Sequence, residues 1–220
     1  MSNKIEIPDD PEIVVAVSFI NKYRNLLIGG VLLIAIVLVG KIWWDKNREE
    51  TRKLAADKLF LVKVDFDNRD YEKVIKDGKN QIEKFSSYPQ SGEMMLLIAK
   101  SYLATNKEAE AVKMLEECAS SFKSDDLLYF SANNMLGIIT LDKAVLNKDK
   151  AAAEQAAAYF DKAAASNQEI FADQCRFNSA KALLIAEKKD KAKEILTALD
   201  KKEELSYSLK DKTKKLLETL

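Results

Sequence analysis

The chain has 220 residues, 35 Lys plus Arg against 35 Asp plus Glu, and no histidine. The balanced charge lacks the basic footprint of a protein that grips phosphates, so no nucleic-acid partner is expected. The missing histidine removes the commonest general base, the usual catalytic triads and most zinc sites. The length suffices for one domain plus an anchor without metals or disulfides. The only prolines are Pro8, Pro11 and Pro89, which leaves 12–88 and 90–220 without an obligate helix breaker and predicts long helices. Cys118 and Cys175 fit neither a disulfide framework nor a CxxC metal pair and read as buried thiols.

Taken in chain order, residues 1–24 read as an N-terminal tail in which Ile13, Val14, Val17, Phe19 and Ile20 form a short apolar segment suited to a membrane interface. Residues 25–44 read as a transmembrane helix. Leu26 to Val39 is LLIGGVLLIAIVLV, and with Gly40, Ile42, Trp43 and Trp44 the apolar stretch reaches about 19 residues, enough for a bilayer core at about 1.5 Å per residue. Leu, Ile and Val fill eleven of the fourteen central positions, and their summed insertion energy outweighs Lys41, which can snorkel. Tyr23 and Trp43-Trp44 bracket the span where aromatic rings prefer the headgroup level. A cleavable signal would have a short basic leader and a small-residue site, whereas GKIWWDK follows here, so a permanent anchor is expected. Gly30 and Gly40 have no small partner four residues away, so no dimerisation through the span is indicated. Lys22 and Arg24 precede the span, while Lys41, Lys46, Arg48, Arg52 and Lys53 follow it, which favours a cytoplasmic C-terminal side by the positive-inside rule.

Residues 45–220 read as four αα-hairpins and a C-terminal capping helix. The hairpins align on a small residue in each second helix, at Val74, Ala111, Ala156 and Ala192, with spacings of 37, 45 and 36 residues. The third hairpin is lengthened around VLNKDKA. Asn68, Asn106 and Lys189-Asp190 are expected at hairpin tips, where Asn and Asp tolerate turn geometry. Tyr207 to Leu220, with Leu209, Leu216, Leu217 and Leu220 among Lys and Asp, has the pattern of a helix that closes a solenoid. The stretches KDKTKK and DKKEE read as solvated helix surface. AAAEQAAAYFDKAAAS reads as strong helix former, not as a site. No phosphate loop, EF-hand or carboxylate-histidine grouping is present, so no catalytic, cofactor-binding or metal-binding residue and no small-molecule substrate is expected. An accessory subunit that borrows its chemistry from another chain remains an alternative.

The paired small residues Ala99 with Ala111, Gly137 with Ala156 and Ala180 with Ala192, together with Tyr102 and the YEKVI segment opened by Tyr71, resemble the tetratricopeptide repeat family. The fold class is therefore all-α, a single N-terminal transmembrane helix followed by a tetratricopeptide-like αα-hairpin solenoid. The resemblance implies that first helices line a groove. Its fifth positions are Leu59, Leu96, Asn134 and Phe177, its ninth Lys63, Lys100, Ile138 and Lys181, and its twelfth Phe66, Leu103, Leu141 and Leu184. The expected partner-binding groove is Leu59, Lys63, Leu96, Lys100, Asn134, Phe177 and Lys181, an apolar surface with a lysine stripe suited to apolar, partly acidic peptide segments.

At the level of the whole chain, the tail, AVSFINKYRNLLIGGVLL, the span ending in GKIWWDK and the degenerate hairpins resemble the ancillary SecYEG translocon subunit family of bacteria. That resemblance implies a non-enzymatic protein of the inner membrane with a periplasmic repeat domain. Its implied partners are Sec translocon components and a periplasmic isomerase-type chaperone, besides the bilayer around 25–44. The lysine-rich flank implies the alternative, a cytoplasm-facing receptor or assembly factor that recruits soluble partners to the membrane.

Overall fold

A computed structural model of the chain describes residues 11–166 and 169–220, and there the protein is all-α, with nine helices and no strand among the described residues. Residues 1–10 of the expected tail lie outside the described residues. The chain divides into two compact units between Lys53 and Leu54.

The first unit is the N-terminal part of α1 (Pro11–Asp67). Proline suits a first helical position because its missing N–H has no partner there anyway, and no later proline interrupts the helix. Leu26 and the large apolar residues from Ile28 to Trp44 are uncovered, Leu26 at 73% and Ile36 at 71% exposure. From Lys22 onward this helix is long and apolar enough to cross a membrane.

The second unit comprises residues 54–220. It contains the end of α1, α2 (Tyr71–Lys84), α3 (Pro89–Ala104), α4 (Glu108–Ser121), α5 (Asp126–Asn147), α6 (Lys150–Ala164), α7 (Glu169–Ile185), α8 (Lys189–Asp200) and α9 (Tyr207–Glu218). The end of α1 meets α2 through Phe66 with Tyr71 and Asp65 with Lys73, and α3 pairs with α4, α5 with α6 and α7 with α8, as successive hairpins. Between hairpins, α2 packs on α3, α4 on α5, α6 on α7 and α8 on α9. Beyond chain neighbours, successive first helices also meet, α3 with α5 and α5 with α7, and Tyr159 of α6 donates to Glu116 of α4 at 3.0 Å. This is the nearest-neighbour logic of a solenoid.

Burial follows from that arrangement. A second helix buries one stripe, as in α4 with Ala111, Met114, Leu115 and Cys118 at helical spacing. A first helix sits between two hairpins and buries more of its circumference, as α3 does with Met94, Met95, Ile98, Ala99, Ser101 and Tyr102. Besides two smaller clusters, one of Phe130, Ala163, Ala164, Ala172 and Cys175 and one of Ala144, Ala152, Ala153 and Ala186, the core has two large adjoining parts, one from Val62 to Tyr159 and the other from Ala156 to Leu209. They meet at the neighbouring residues Tyr159 and Phe160 of α6. The final helix α9 adds Leu209 to the second part, with Leu216, Leu217 and Leu220 packed against it.

The four hairpin tips share one construction. Arg69, Asn106, Lys148 and Glu187 take positive φ of 64°, 59°, 53° and 60°. In each case the following N–H, that of Asp70, Lys107, Asp149 or Lys188, reaches back to the carbonyl of Asp65, Tyr102, Ala144 or Leu183. This is the Schellman helix stop. The same following residue then opens the second helix, its carbonyl accepting from Val74, Ala111, Ala153 or Ala192.

Two expectations are corrected by this geometry. The equivalent small residue of the third hairpin is Ala153, one helical turn before Ala156. Both alanines are fully buried, and an alanine-rich segment carries no phase by which sequence could tell them apart. Asn68 lies in the first tip, where the left-handed residue is Arg69, whereas Lys189-Asp190 lie in the first turn of α8, past the left-handed Glu187 of the fourth tip. A left-handed conformation costs a residue with a Cβ about 1–2 kcal/mol. Lys148→Gly is therefore expected to stabilise the protein by about 0.5–1 kcal/mol, after allowance for glycine's larger unfolded-state entropy. A raised thermal midpoint for the full chain in detergent is the check, and a lowered midpoint would contradict it.

Candidate interaction surface

The first helices of successive hairpins are tied to one another by side chains from the expected groove. Lys63 Nζ lies 2.8 Å from Glu93 Oε2, an exposed pair joining the end of α1 to α3. Such pairs contribute little energy, about 0–1 kcal/mol, but they fix which helices are neighbours. Between α5 and α7, the Cys175 thiol donates to Asn134 Oδ1 at 3.6 Å.

The seven expected groove residues differ in accessibility. Leu59 and Phe177 are buried, at 6% and 7% exposure. Leu96 and Asn134 are half-buried, while Lys63, Lys100 and Lys181 are exposed. Leu96 packs against the first part of the core. Phe177 belongs to the second part. Phe177 and Lys181 come together in a cleft of about 480 Å³ where α7 faces α9, completed by Gln174, Asn178, Lys212, Lys215 and Leu216. The α9 residues are not part of the sequence expectation. Their signal is the spacing of Lys212, Lys215 and Leu216, which places them on one helix face, although KDKTKK by itself reads as solvated surface.

A second cleft of about 810 Å³ lies among α6, α7 and α8. Ala157, Ala158, Ala164, Ala165 and Ala198 contribute to its lining, and the small side chains leave the space open. Asp173 is 9% exposed and accepts from both Arg176 and Lys202 at this cleft. One mostly buried carboxylate shared by two cations is fully compensated.

Both cysteines are free and buried. The Cys118 thiol donates to the Gly92 carbonyl at 3.7 Å. Burial, helped by the charges of Asp125 and Glu117, pushes Cys118 up from 9.0 to about 12. Burial likewise pushes Cys175 up from 9.0 to about 11, with Arg176 opposing. The reactive species is the thiolate, so iodoacetamide at pH 8 is expected to label neither thiol in the folded protein and both in denaturant. The sign for stability follows. Unfolding above pH 9.0 releases protons that the fold retains, so the thiols' contribution is full below pH 9.0 and declines as pH rises toward about 11 and about 12. Rapid labelling without denaturant would contradict this packing.

A family model described as a tetratricopeptide repeat-like domain matches residues 18–140. The match takes in the apolar stretch of α1, the first two hairpins and most of α5. No curated protein and no solved structure matches the chain.

Proposed function

We propose, from the premise that the chain belongs to the tetratricopeptide repeat-like domain family, that it is a membrane-anchored scaffold that binds other proteins through its row of first helices. The observation that carries the anchor is the uncovered apolar part of α1. A core helix of a soluble protein buries its apolar face, whereas Leu26 and the large apolar residues from Ile28 to Trp44 are exposed, the pattern that only a lipid surrounding makes favourable. The scaffold half is supported by the repeat fold and by the exposed lysines and half-buried apolar residues along α3 and α7. The protein acts by holding partners and not by catalysis, since Leu96, Lys100, Phe177 and Lys181 offer burial and charge but no nucleophile with its base.

In its finer form, the reading places the chain in the bacterial inner membrane as a single-pass protein with a periplasmic repeat domain that joins the Sec translocon to a periplasmic isomerase-type chaperone. The likeness of the tail, AVSFINKYRNLLIGGVLL, the span ending in GKIWWDK and the hairpins to the ancillary translocon subunits supports it. A second reading, a cytoplasm-facing receptor, is supported by Lys41, Lys46, Arg48, Arg52 and Lys53 on the C-terminal flank. Long hydrophilic domains translocate largely regardless of flank charge, so the periplasmic reading is preferred. Alkaline phosphatase and green fluorescent protein fused after Leu220 separate the two: phosphatase activity without fluorescence is expected, and the reverse would sink the translocon role. Purification from detergent-solubilised membranes, with partners identified by mass spectrometry, should return Sec components and a chaperone above an untagged control. Their absence would remove this form of the proposal.

A further inference from the structure

The cleft between α7 and α9 has a chemistry more specific than that of a general groove. Its apolar lining is Phe177, 7% exposed, and the half-buried Leu216. Three ammonium groups surround it, those of Lys181, Lys212 and Lys215, and no carboxylate is among its lining residues. Lys215 is engaged by Asp211 on its own helix at 2.7 Å. Lys181 and Lys212 form no ion pair among the described residues, so two cations on facing helices are available to a ligand. Gln174 Nε2 donates to Asn178 Oδ1 at 3.2 Å. That bond leaves the Gln174 carbonyl and the Asn178 amino group for a peptide backbone. The cleft has a volume of about 480 Å³ and is open to solvent.

We propose that this cleft binds an acidic segment of a partner protein, with one large apolar side chain entering between Phe177 and Leu216 while flanking carboxylates meet Lys181 and Lys212. The assignment rests on the scaffold reading and gives it a ligand class. Electrostatic complementarity of this kind sets partner choice and encounter rate more than raw affinity, so the interaction is salt-sensitive. Nucleic acid is disfavoured by the balanced 35 and 35 charges of the chain, which supply no extended phosphate-tracking surface. An anionic lipid headgroup would use the lysines but leave the amide pair and the apolar lining without a role.

The test uses the full chain in nanodiscs of zwitterionic lipid. The probe is a capped, fluorescein-labelled peptide in which Asp and Glu flank a Leu-Phe pair, read by fluorescence anisotropy, alongside the same peptide with Lys in place of each acidic residue. The wild type is expected to bind the acidic peptide and not the basic one. The surface variant K181E/K212E, which leaves the core intact, should weaken acidic-peptide binding by about tenfold or more and gain binding to the basic peptide. K100E, on an exposed lysine outside the cleft, should change little. No binding of the acidic peptide by the wild type, or equal binding by K181E/K212E, would overturn the proposal. So would co-flotation with phosphatidylglycerol vesicles that K181E/K212E alone abolishes while peptide binding is unaffected, which would assign the lysines to lipid. If K181E/K212E still co-purifies its native partners while peptide binding fails, the cleft is wrong and the scaffold survives. If the wild type co-purifies no partner, the scaffold reading itself fails.

Discussion

Replacing Phe160 with alanine is expected to lower the stability of the repeat unit by about 3–5 kcal/mol, the usual range for removing a fully buried aromatic ring. Phe160 is 0% exposed and heads the largest fully buried side chains. Its ring fills the space over Gly137, where an added Cβ would lie 2.7 Å from Phe160 Cε1 and 2.8 Å from Cδ1. The ring therefore occupies ground that a side chain at 137 would claim, and α5 and α6 approach closely because neither helix spaces the other away. Phe160 also stands where the two parts of the core adjoin, so its loss should separate them. Denaturation of the full chain in detergent, followed by circular dichroism, should show an earlier midpoint and a broadened or stepped transition, because a solenoid's stability is a sum of local interfaces. Gly137→Ala provides the converse. Helix propensity would favour it by about 0.5–1 kcal/mol, but overpacking against a rigid ring costs about 1–3 kcal/mol, and the net expectation is destabilisation that Phe160→Leu partly relieves. A wild-type midpoint for Phe160→Ala would mean that this contact does not organise the third hairpin.

The second large effect concerns the span. Ile34→Arg combined with Leu38→Arg is expected to release the protein from the membrane. The eleven Leu, Ile and Val residues between Leu26 and Val39 contribute about −0.3 to −0.6 kcal/mol each on the insertion scale, about −3 to −7 kcal/mol together. Each arginine near the helix centre costs about 2.5–3.5 kcal/mol and removes one favourable residue. The balance therefore turns against insertion. Carbonate extraction should move the double variant from the membrane pellet to the supernatant while the wild type stays in the pellet. Retention of the variant would argue that the chain is held by something other than its own apolar helix.

Composition and spacing make much of this fold legible. The apolar run of α1 needs no tertiary context to be recognised, because its length and all-round hydrophobicity are local properties. The hairpins were legible from small residues at the second-helix starts, since Ala111 and Ala192 stand four residues after a turn that stops one helix and begins the next. The third hairpin was legible as a hairpin but not in its register, because its second helix is nearly all alanine and every register looks equally small. The turns at Arg69 and Glu187 were obscured for another reason: the helix-stop hydrogen bonds and the packing of the flanking helices impose the left-handed conformation on residues with no preference for it.

The candidate surface was legible in part. Lys181 and Phe177 were found through the repeat register, but Lys212, Lys215 and Leu216 come from a helix more than a hairpin away. Charge-rich sequence reads as solvated until a facing helix supplies Phe177. Leu59, selected as a groove residue by position, is buried at 6% exposure, as Phe177 is at 7%.

The contact pattern of the second unit, in which each hairpin touches only the hairpins before and after it, carries a mechanical meaning. A compact domain shares a load over many cross-links, whereas here the interfaces are connected in series like links in a chain. Tension applied between Leu54 and Leu220 would pass in full through every link, and the weakest would open first while the others held. Such a unit would lengthen stepwise under pull, giving up one hairpin at a time, and would rewind from whichever links remained.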